Sequence, residues 1–155
     1  MKKYFTTLLI LIAASFITPF HAKKPVVQKL LNQKVYLVCN ALTTSYTYSA
    51  LQGEISGELT KEGCTLLHSA NNADWTIQVV GSTGAQQKSD FGAQSFYSTE
   101  VSVKIMIDRG AYASRVFETL LTEQGKHTMG FDEAAVEAYK RLTPQICETI
   151  KQHIQ

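Results

Sequence analysis

Residues 97–108 read Tyr-Ser-Thr-Glu-Val-Ser-Val-Lys-Ile-Met-Ile-Asp and alternate between two kinds of side chain. Every second position from Thr99 to Ile107 is β-branched, whereas the positions between them are mostly polar. This period of two is typical of a β-strand with one face in the core and the other in water. A shift of one residue would turn the whole apolar row toward solvent, so the pairing register is expected to be strongly fixed. We predict that this segment is a central strand of an antiparallel sheet.

Six further elements are predicted around this strand. The predicted elements are, in order, a strand at 35–39, a helix at 47–62, strands at 64–68, 75–80, 97–108 and 114–123, and a final helix from Asp132. The near-continuous apolar run at 35–39 predicts a strand buried on both faces. The order β-α-β-β-β-β-α predicts a parallel first crossover followed by an antiparallel meander. The fold class is therefore α/β (α+β), a two-layer sandwich with a mixed sheet of about five strands and both helices on one face.

Glycine and proline positions refine this outline. Gly53 and Gly57 lie inside the first predicted helix and mark either a close backbone contact or tolerated surface positions. Gly125 and Gly130 are expected to break the chain after the last strand, with Asp132 as the cap of the final helix. Pro144 predicts a kink in that helix or its division into two.

The segment from Gly81 to Ser95 is predicted to be the longest irregular stretch. It carries three glycines among polar residues, and a loop of this length in a compact domain is either mobile or a binding element. Phe91 is an isolated aromatic residue within it, which is typical of a partner anchor, although packing at the end of an element is the alternative. Candidate partner-contact residues are Phe91, Tyr97, Glu100 and Lys104.

The first residues predict export. Lys2 and Lys3 precede a short apolar run, and a small residue, Ala22, lies before Lys23, which is the pattern of a bacterial secretory signal. An uncleaved membrane anchor would need about 20 apolar residues, more than this run provides. We predict a signal peptide at 1–22, an N-terminal tether at 23–33 and a single α/β domain at 34–155, located in the periplasm or secreted, with no stable membrane anchor.

Charge and cysteine content restrict the partners. The signal holds two of the 15 basic residues and none of the 13 acidic ones, so the remaining chain has 13 of each and no net charge. Such a neutral domain gives no electrostatic reason to bind nucleic acid or anionic lipid. Cys39, Cys64 and Cys147 allow any one of three disulfide pairings in an oxidising compartment, and three unpaired core thiols are the other option.

The sequence contains no recognisable catalytic motif. The histidines at 68, 127 and 153 have no metal-ligand spacing, and no nucleophile elbow or phosphate-binding glycine loop occurs. The sequence therefore predicts no enzyme activity, no metal site and no cofactor.

A run of small residues carries a family resemblance. Leu59-Thr-Lys-Glu-Gly63, the strand from Cys64, and Ala73-Asp-Trp-Thr-Ile-Gln-Val79 resemble the helix, glycine, strand, Ala-Asp-aromatic pattern of envelope accessory domains of the CsgG, LpoB and TolB N-terminal type. The continuation to Gly130-Phe-Asp-Glu-Ala-Ala135 is similar too. The resemblance implies a non-enzymatic module that docks onto an envelope protein or onto a copy of itself. We predict an exported binding or accessory protein of the bacterial cell envelope, with a small-ligand carrier or an enzyme assembled only in the fold as the alternative.

Overall fold

The computed structural model describes residues 32–40, 48–111 and 114–154. The predicted signal peptide and the tether up to residue 31 lie outside these residues. The elements are β1 (Lys34–Asn40), α1 (Tyr48–Lys61), β2 (Thr65–Leu67), β3 (Trp75–Phe91), β4 (Gln94–Arg109), β5 (Ser114–His127) and α2 (Phe131–His153). Their order, β-α-β-β-β-β-α, is the predicted one.

The five strands form one mixed sheet in the order β2-β1-β3-β4-β5. β1 is parallel to β2 and to β3, whereas β3, β4 and β5 are successively antiparallel. The helices contact each other, and one core cluster contains side chains from both of them and from the sheet. The predicted α/β class with a mixed five-stranded sheet is confirmed.

β4 is an interior strand, as the alternation of residues 97–108 predicts. Its core-facing residues are all fully buried: Thr99, Val101, Val103, Ile105 and Ile107. Burying a valine or isoleucine side chain contributes roughly 1.5–3 kcal/mol, so this row fixes the register of the sheet centre. The buried hydroxyl of Thr99 donates to the Phe131 carbonyl oxygen at 2.9 Å, which ties β4 to the start of α2.

The expectation that β1 is buried on both faces is wrong. Val35, Leu37 and Cys39 are buried, but Tyr36 and Val38 on the other face are only half-buried. Among the described residues the helices cover one face of the sheet, so an apolar run in an interior strand here reflects one dry face and one partly wet face.

α1 packs on the sheet through one stripe and ends at a glycine. Leu51, Ile55 and Leu59 are fully buried. Gly63 has φ 95°, its N–H donates to the Thr60 carbonyl at 3.0 Å, and the Cys64 N–H donates to the Leu59 carbonyl at 3.0 Å. These two bonds form a Schellman motif, which is why the chain leaves the helix at this point.

α2 is continuous, contrary to one of the two expectations for Pro144. Pro144 lies within the single helix Phe131–His153, so the helix is not divided. The expected cap is also displaced, because Gly130 takes the N-cap position without a side-chain cap hydrogen bond and Asp132 lies in the first turn. One apolar stripe of α2 is buried along its length: Ala135, Tyr139, Leu142, Ile146 and Ile150.

Gly125 continues β5 instead of ending it. It is buried and pairs with Thr99 of β4. A Cβ at this position would overlap the Ala134 carbonyl oxygen and lie 2.8 Å from the Ala138 nitrogen. A strand glycine can mark a close backbone approach, and here the backbone of α2 lies directly against β5.

The segment from Gly81 to Ser95 is not an irregular loop. β3 extends to Phe91 and β4 begins at Gln94, and the two are paired to the turn, with one irregularity between Thr83 and Gln86. Gly92 at φ +61° starts a two-residue turn, as a type II′ hairpin requires. Because nearly every residue from Ser82 to Phe91 is exposed, these strands lack the one-sided apolar pattern by which a strand is recognised.

Candidate functional site

Residues 82–98 form a hairpin, called the arm below, and its outer part at 89–96 extends beyond the other strands of the sheet. β1 pairs with β3 only as far as Val80, and β5 pairs with β4 only as far as Tyr97. Beyond these positions the arm consists of β3 and β4 alone, in the part of the chain that the structure describes. A two-stranded ribbon is marginally stable by itself, so the arm depends on the sheet at its base.

Two phenylalanines lie at the end of the arm. Phe91 is 69% exposed and Phe96 is 37% exposed. Their ring centroids are 5.9 Å apart with an interplanar angle of 72°, an edge-to-face pair. The rings border a depression of about 380 Å³ together with Gln87, Ser98 and Lys126. Protein-binding sites commonly combine exposed aromatic rings with neighbouring polar groups, as this depression does.

Tyr97 has a different role from Phe91. Its ring meets Phe131 of α2 edge to face, with centroids 5.1 Å apart, and the Lys88 ammonium lies 5.9 Å from its centroid. Consecutive residues of a strand point to opposite faces, so Phe96 faces one side of the arm and Tyr97 the other. Tyr97 therefore anchors the base of the arm to α2.

Lys104 belongs to a cross-strand ion-pair network. Its Nζ lies 2.6 Å from Glu118 Oε1, and Glu118 Oε2 accepts from Arg115 Nη1 at 2.6 Å. Arg115 Nε in turn donates to the buried Asp108 at 2.5 Å. The hydrogen bond from Lys104 is the main reason that the pKa of Glu118 is lowered, and the hydrogen bond to Asp108 raises the pKa of Arg115. The four groups together carry no net charge.

Glu100 is exposed on the same sheet face as Lys104 but lies apart from this network. Its carboxylate lies over Gly84 of β3, where a Cβ would come within 2.8 Å of Oε1. The four predicted contact residues are therefore distributed over three places: the arm tip, the base of the arm and the sheet face opposite the helices. That sheet face is called the open face below.

The open face is more apolar than the sequence of β4 alone indicated. Val80, Lys104 and Leu120 are aligned across it on three paired strands. Leu120 is 62% exposed. Tyr36 and Met106 are half-buried on the same face. The sequence did contain this signal in the outward positions of β1, β3 and β5, but it becomes visible only when the strands are aligned in register.

A groove between the helices was not predicted. It has a volume of about 660 Å³ and is bordered by Gly53 and Gly57 of α1 and by Pro144 and Cys147 of α2. Neither glycine has an atom within 4 Å of where a Cβ would be, so the predicted backbone contact at these glycines is absent from the described residues. The charged residues around the groove include both signs and are partly paired, as in the 2.6 Å contact of Lys61 with Glu58.

The side chains of Cys39, Cys64 and Cys147 are all buried. Burial raises the pKa of Cys39 to about 12 and the pKa values of Cys64 and Cys147 to about 11. A thiol with such a pKa is protonated near neutral pH and is a poor nucleophile. Which two of the cysteines pair under oxidising conditions stays a prediction.

The histidines and acidic residues that the structure describes do not converge on a metal site. Among residues 32–40, 48–111 and 114–154, no group of three or more His, Cys, Asp or Glu side chains could hold a metal ion. His127 accepts a hydrogen bond from the Met129 N–H at 3.1 Å, and His153 stacks on Phe117 with centroids 3.5 Å apart. No helix within those ranges is both long enough and apolar enough to cross a bilayer.

Comparison with known proteins shows a shared fold. No family model and no curated protein matches the sequence. The minor lipoprotein of Acinetobacter baumannii has a similar structure, with a TM-score of 0.54 at 15% identity over 79% of this chain and 92% of that one. Protein CT253 of Chlamydia trachomatis has a TM-score of 0.49 at 12% identity, over 79% of this chain and 98% of that one. Rare lipoprotein B of Shewanella oneidensis has a TM-score of 0.43 at 9% identity, over 79% of this chain and 90% of that one.

Several of the structural neighbours are thus bacterial lipoproteins, and at these identities the likeness shows the fold alone. The resemblance to domains of the CsgG, LpoB and TolB N-terminal type stays a prediction.

Proposed function

We propose that this chain is an exported, non-enzymatic accessory protein of the bacterial cell envelope, in the periplasm or secreted, that binds a protein partner through the tip of the hairpin arm. The observation that carries the proposal is the exposed Phe91–Phe96 pair. Large apolar rings at the end of a solvated two-stranded arm lose water contact only when another molecule covers them. The export signal that the sequence predicts and the fold shared with a bacterial lipoprotein support the location.

The arm tip contributes little to folding, which supports a binding role. Neither phenylalanine belongs to the core cluster or packs against it. Their rings touch each other within a ribbon whose neighbouring residues are polar and exposed. Aromatic anchors in binding sites commonly account for 2 kcal/mol or more of an interface, so roughly a 30-fold effect on affinity is expected from losing one.

Site-specific photocrosslinking in the native envelope tests this proposal. A benzophenone amino acid at position 91 should yield one discrete crosslinked product, and Phe96→Ala should weaken that product. The matched control is the same probe at Met129, which is 74% exposed and lies outside the arm. Equal products from both positions, or none at position 91 with the protein folded and exported, would refute binding through the arm tip.

The groove between α1 and α2 favours the alternative, a small-ligand carrier. Its volume of about 660 Å³ is within the usual range for a small-molecule site. Native mass spectrometry of protein purified from the envelope would decide the matter. A bound small molecule that is lost when Gly57→Trp fills the groove would favour the carrier, and ligand-free protein would favour the accessory role.

A further inference from the structure

The two edges of the sheet are very different in length. β2 is a three-residue strand at one edge, whereas β5 is a fourteen-residue strand at the other. In the described part of the chain, no strand pairs with the outer side of β5. Apart from the Gln124 carbonyl oxygen, which accepts from Arg141 Nη1 of α2 at 3.4 Å, its outward backbone N–H and C=O groups are therefore available to another strand.

β5 carries charged side chains, but it lacks two other devices that protect an edge strand, a proline and a bulge within its length. It contains no proline, and its one irregularity lies at its start, opposite the step from Ile107 to Asp108. From Phe117 to His127 it keeps a regular register with β4. Proteins usually block a free edge with a short strand, a proline or a bulge, and the β2 edge is short.

We propose that β5 pairs antiparallel with β5 of a second copy of this chain, across a two-fold axis at Thr122. In this register Thr122 lies opposite itself, Leu120 lies opposite Gln124, and Glu118 lies opposite Lys126 of the second copy. These residues project from the open face in both copies, so the two sheets become one continuous sheet with helices on one side. A two-fold contact of this kind is self-complementary and closes as a dimer.

Charge complementarity selects a second copy and this register. Lys126 is exposed and has no ion pair within the described ranges. Glu118 belongs to a neutral network, and its carboxylate oxygens can each accept one further hydrogen bond. The two-fold axis makes the Lys126–Glu118 pairing occur twice. A register centred on Leu120 would instead place Lys126 opposite Ser114 and Glu118 opposite Thr122, which leaves both lysines without a carboxylate.

Side-chain packing agrees with this register. Leu120 is 62% exposed, and in the dimer it lies diagonal to Lys126 of the second copy, whose aliphatic stem can cover it. Paired threonines at the axis are favourable cross-strand neighbours. The two arms lie near opposite ends of the joined strands, so the arm tips stay free. The pairing rests on β5 alone and does not depend on the proposed partner binding.

A charge introduced at the axis tests the pairing. Thr122→Asp would place two carboxylates opposite each other in the dimer, while in one copy it exchanges an exposed hydroxyl that lies 3.2 Å from the Ser102 hydroxyl. The matched control is Thr65→Asp, the same exchange at an exposed position of the short edge strand β2. Multi-angle light scattering over roughly 1 to 500 µM covers the range of a weak protein–protein contact.

Wild type and Thr65→Asp should approach twice the monomer mass as concentration rises. Thr122→Asp should need at least about tenfold higher concentration to reach the same fraction of dimer, with an unchanged circular dichroism spectrum. A wild-type protein that is monomeric throughout would overturn the proposal, as would equal loss of the dimer in both variants.

Crosslinking gives a second measurement that does not depend on destabilising the dimer. Thr122→Cys, oxidised with copper phenanthroline, should form an interchain disulfide, since residues at the axis face their own copy. Wild type is the control for the three buried native thiols. Faster crosslinking at Leu120→Cys than at Thr122→Cys would overturn the proposed register.

Discussion

Gly125 gives the sharpest test of how β5 and α2 are packed. In Gly125→Ala the new Cβ would overlap the Ala134 carbonyl oxygen and lie 2.8 Å from both the Ala134 carbonyl carbon and the Ala138 nitrogen. All three are main-chain atoms of α2, so no rotamer change relieves the overlap. α2 would have to move away from the sheet, and with it a stripe that includes the fully buried Tyr139 and Leu142.

The cost of this substitution follows from that displacement. Overpacking that side chains can absorb lowers the free energy of unfolding by about 1–3 kcal/mol. Because main-chain atoms cannot move aside in this way, a loss at or above the upper end of that range is expected. We expect Gly125→Ala to lower the free energy of unfolding by about 3 kcal/mol or more, and to lower the melting temperature by roughly 10 °C for a domain of this size.

Gly53→Ala is the matched control, because it makes the same exchange in open space. Gly53 is exposed inside α1 with nothing within 4 Å of a new Cβ, so alanine should stabilise the protein by about 0.5–1 kcal/mol through better helix propensity. Urea unfolding followed by circular dichroism measures both variants. A Gly125→Ala protein within 1 kcal/mol of wild type would show that α2 does not lie against β5 as described.

Three further outcomes are expected. The hydrogen bond from Lys104 lowers the pKa of Glu118, so the contribution of Glu118 to stability is complete above its ordinary pKa of 4.5. This contribution is lost as the pH falls through the lowered pKa. Glu118→Gln should therefore flatten the fall in melting temperature in that acidic range, and an unchanged fall would contradict the ion pair. In the reduced native protein at pH 8, Cys39 should resist iodoacetamide, because burial raises its pKa to about 12, and it should be alkylated once urea unfolds the chain; rapid native alkylation would contradict its burial. Ile105→Ala should cost about 2–5 kcal/mol in urea unfolding, whereas Leu120→Ala on the open face should change stability by less than about 0.5 kcal/mol, and similar costs for the two would contradict their assignment to opposite faces.

The core elements could be predicted from the sequence because their patterns repeat. Five alternating β-branched positions in β4 and one helical stripe in each helix all become buried faces. A regular element with one dry side carries its period in its own residues, so the order β-α-β-β-β-β-α needed no tertiary information.

The arm escaped prediction for the corresponding reason. From Ser82 to Phe91 both faces are solvated, so neither has to be apolar, and backbone pairing with β4 alone makes the segment a strand. Gly92, the first residue of a two-residue turn, was the local signal for a hairpin. It was not recognised because the residues before it are polar and include two other glycines, which is also typical of a loop. Phe91 could be singled out as a candidate contact, but its edge-to-face pair with Phe96 depends on the hairpin register.

By itself, the sequence determined which residues of β4 and of the two helices face the core, because each of these elements has a one-sided apolar pattern. Only the tertiary structure decided that Gly125 lies against the backbone of α2, which residues share the open face and which edge strand of the sheet is long. Those properties depend on atoms brought together from distant parts of the chain, such as β5 against the backbone of α2. The candidate binding surfaces belong to this second group, because an exposed residue leaves no period in the sequence and its neighbours are set by strand register.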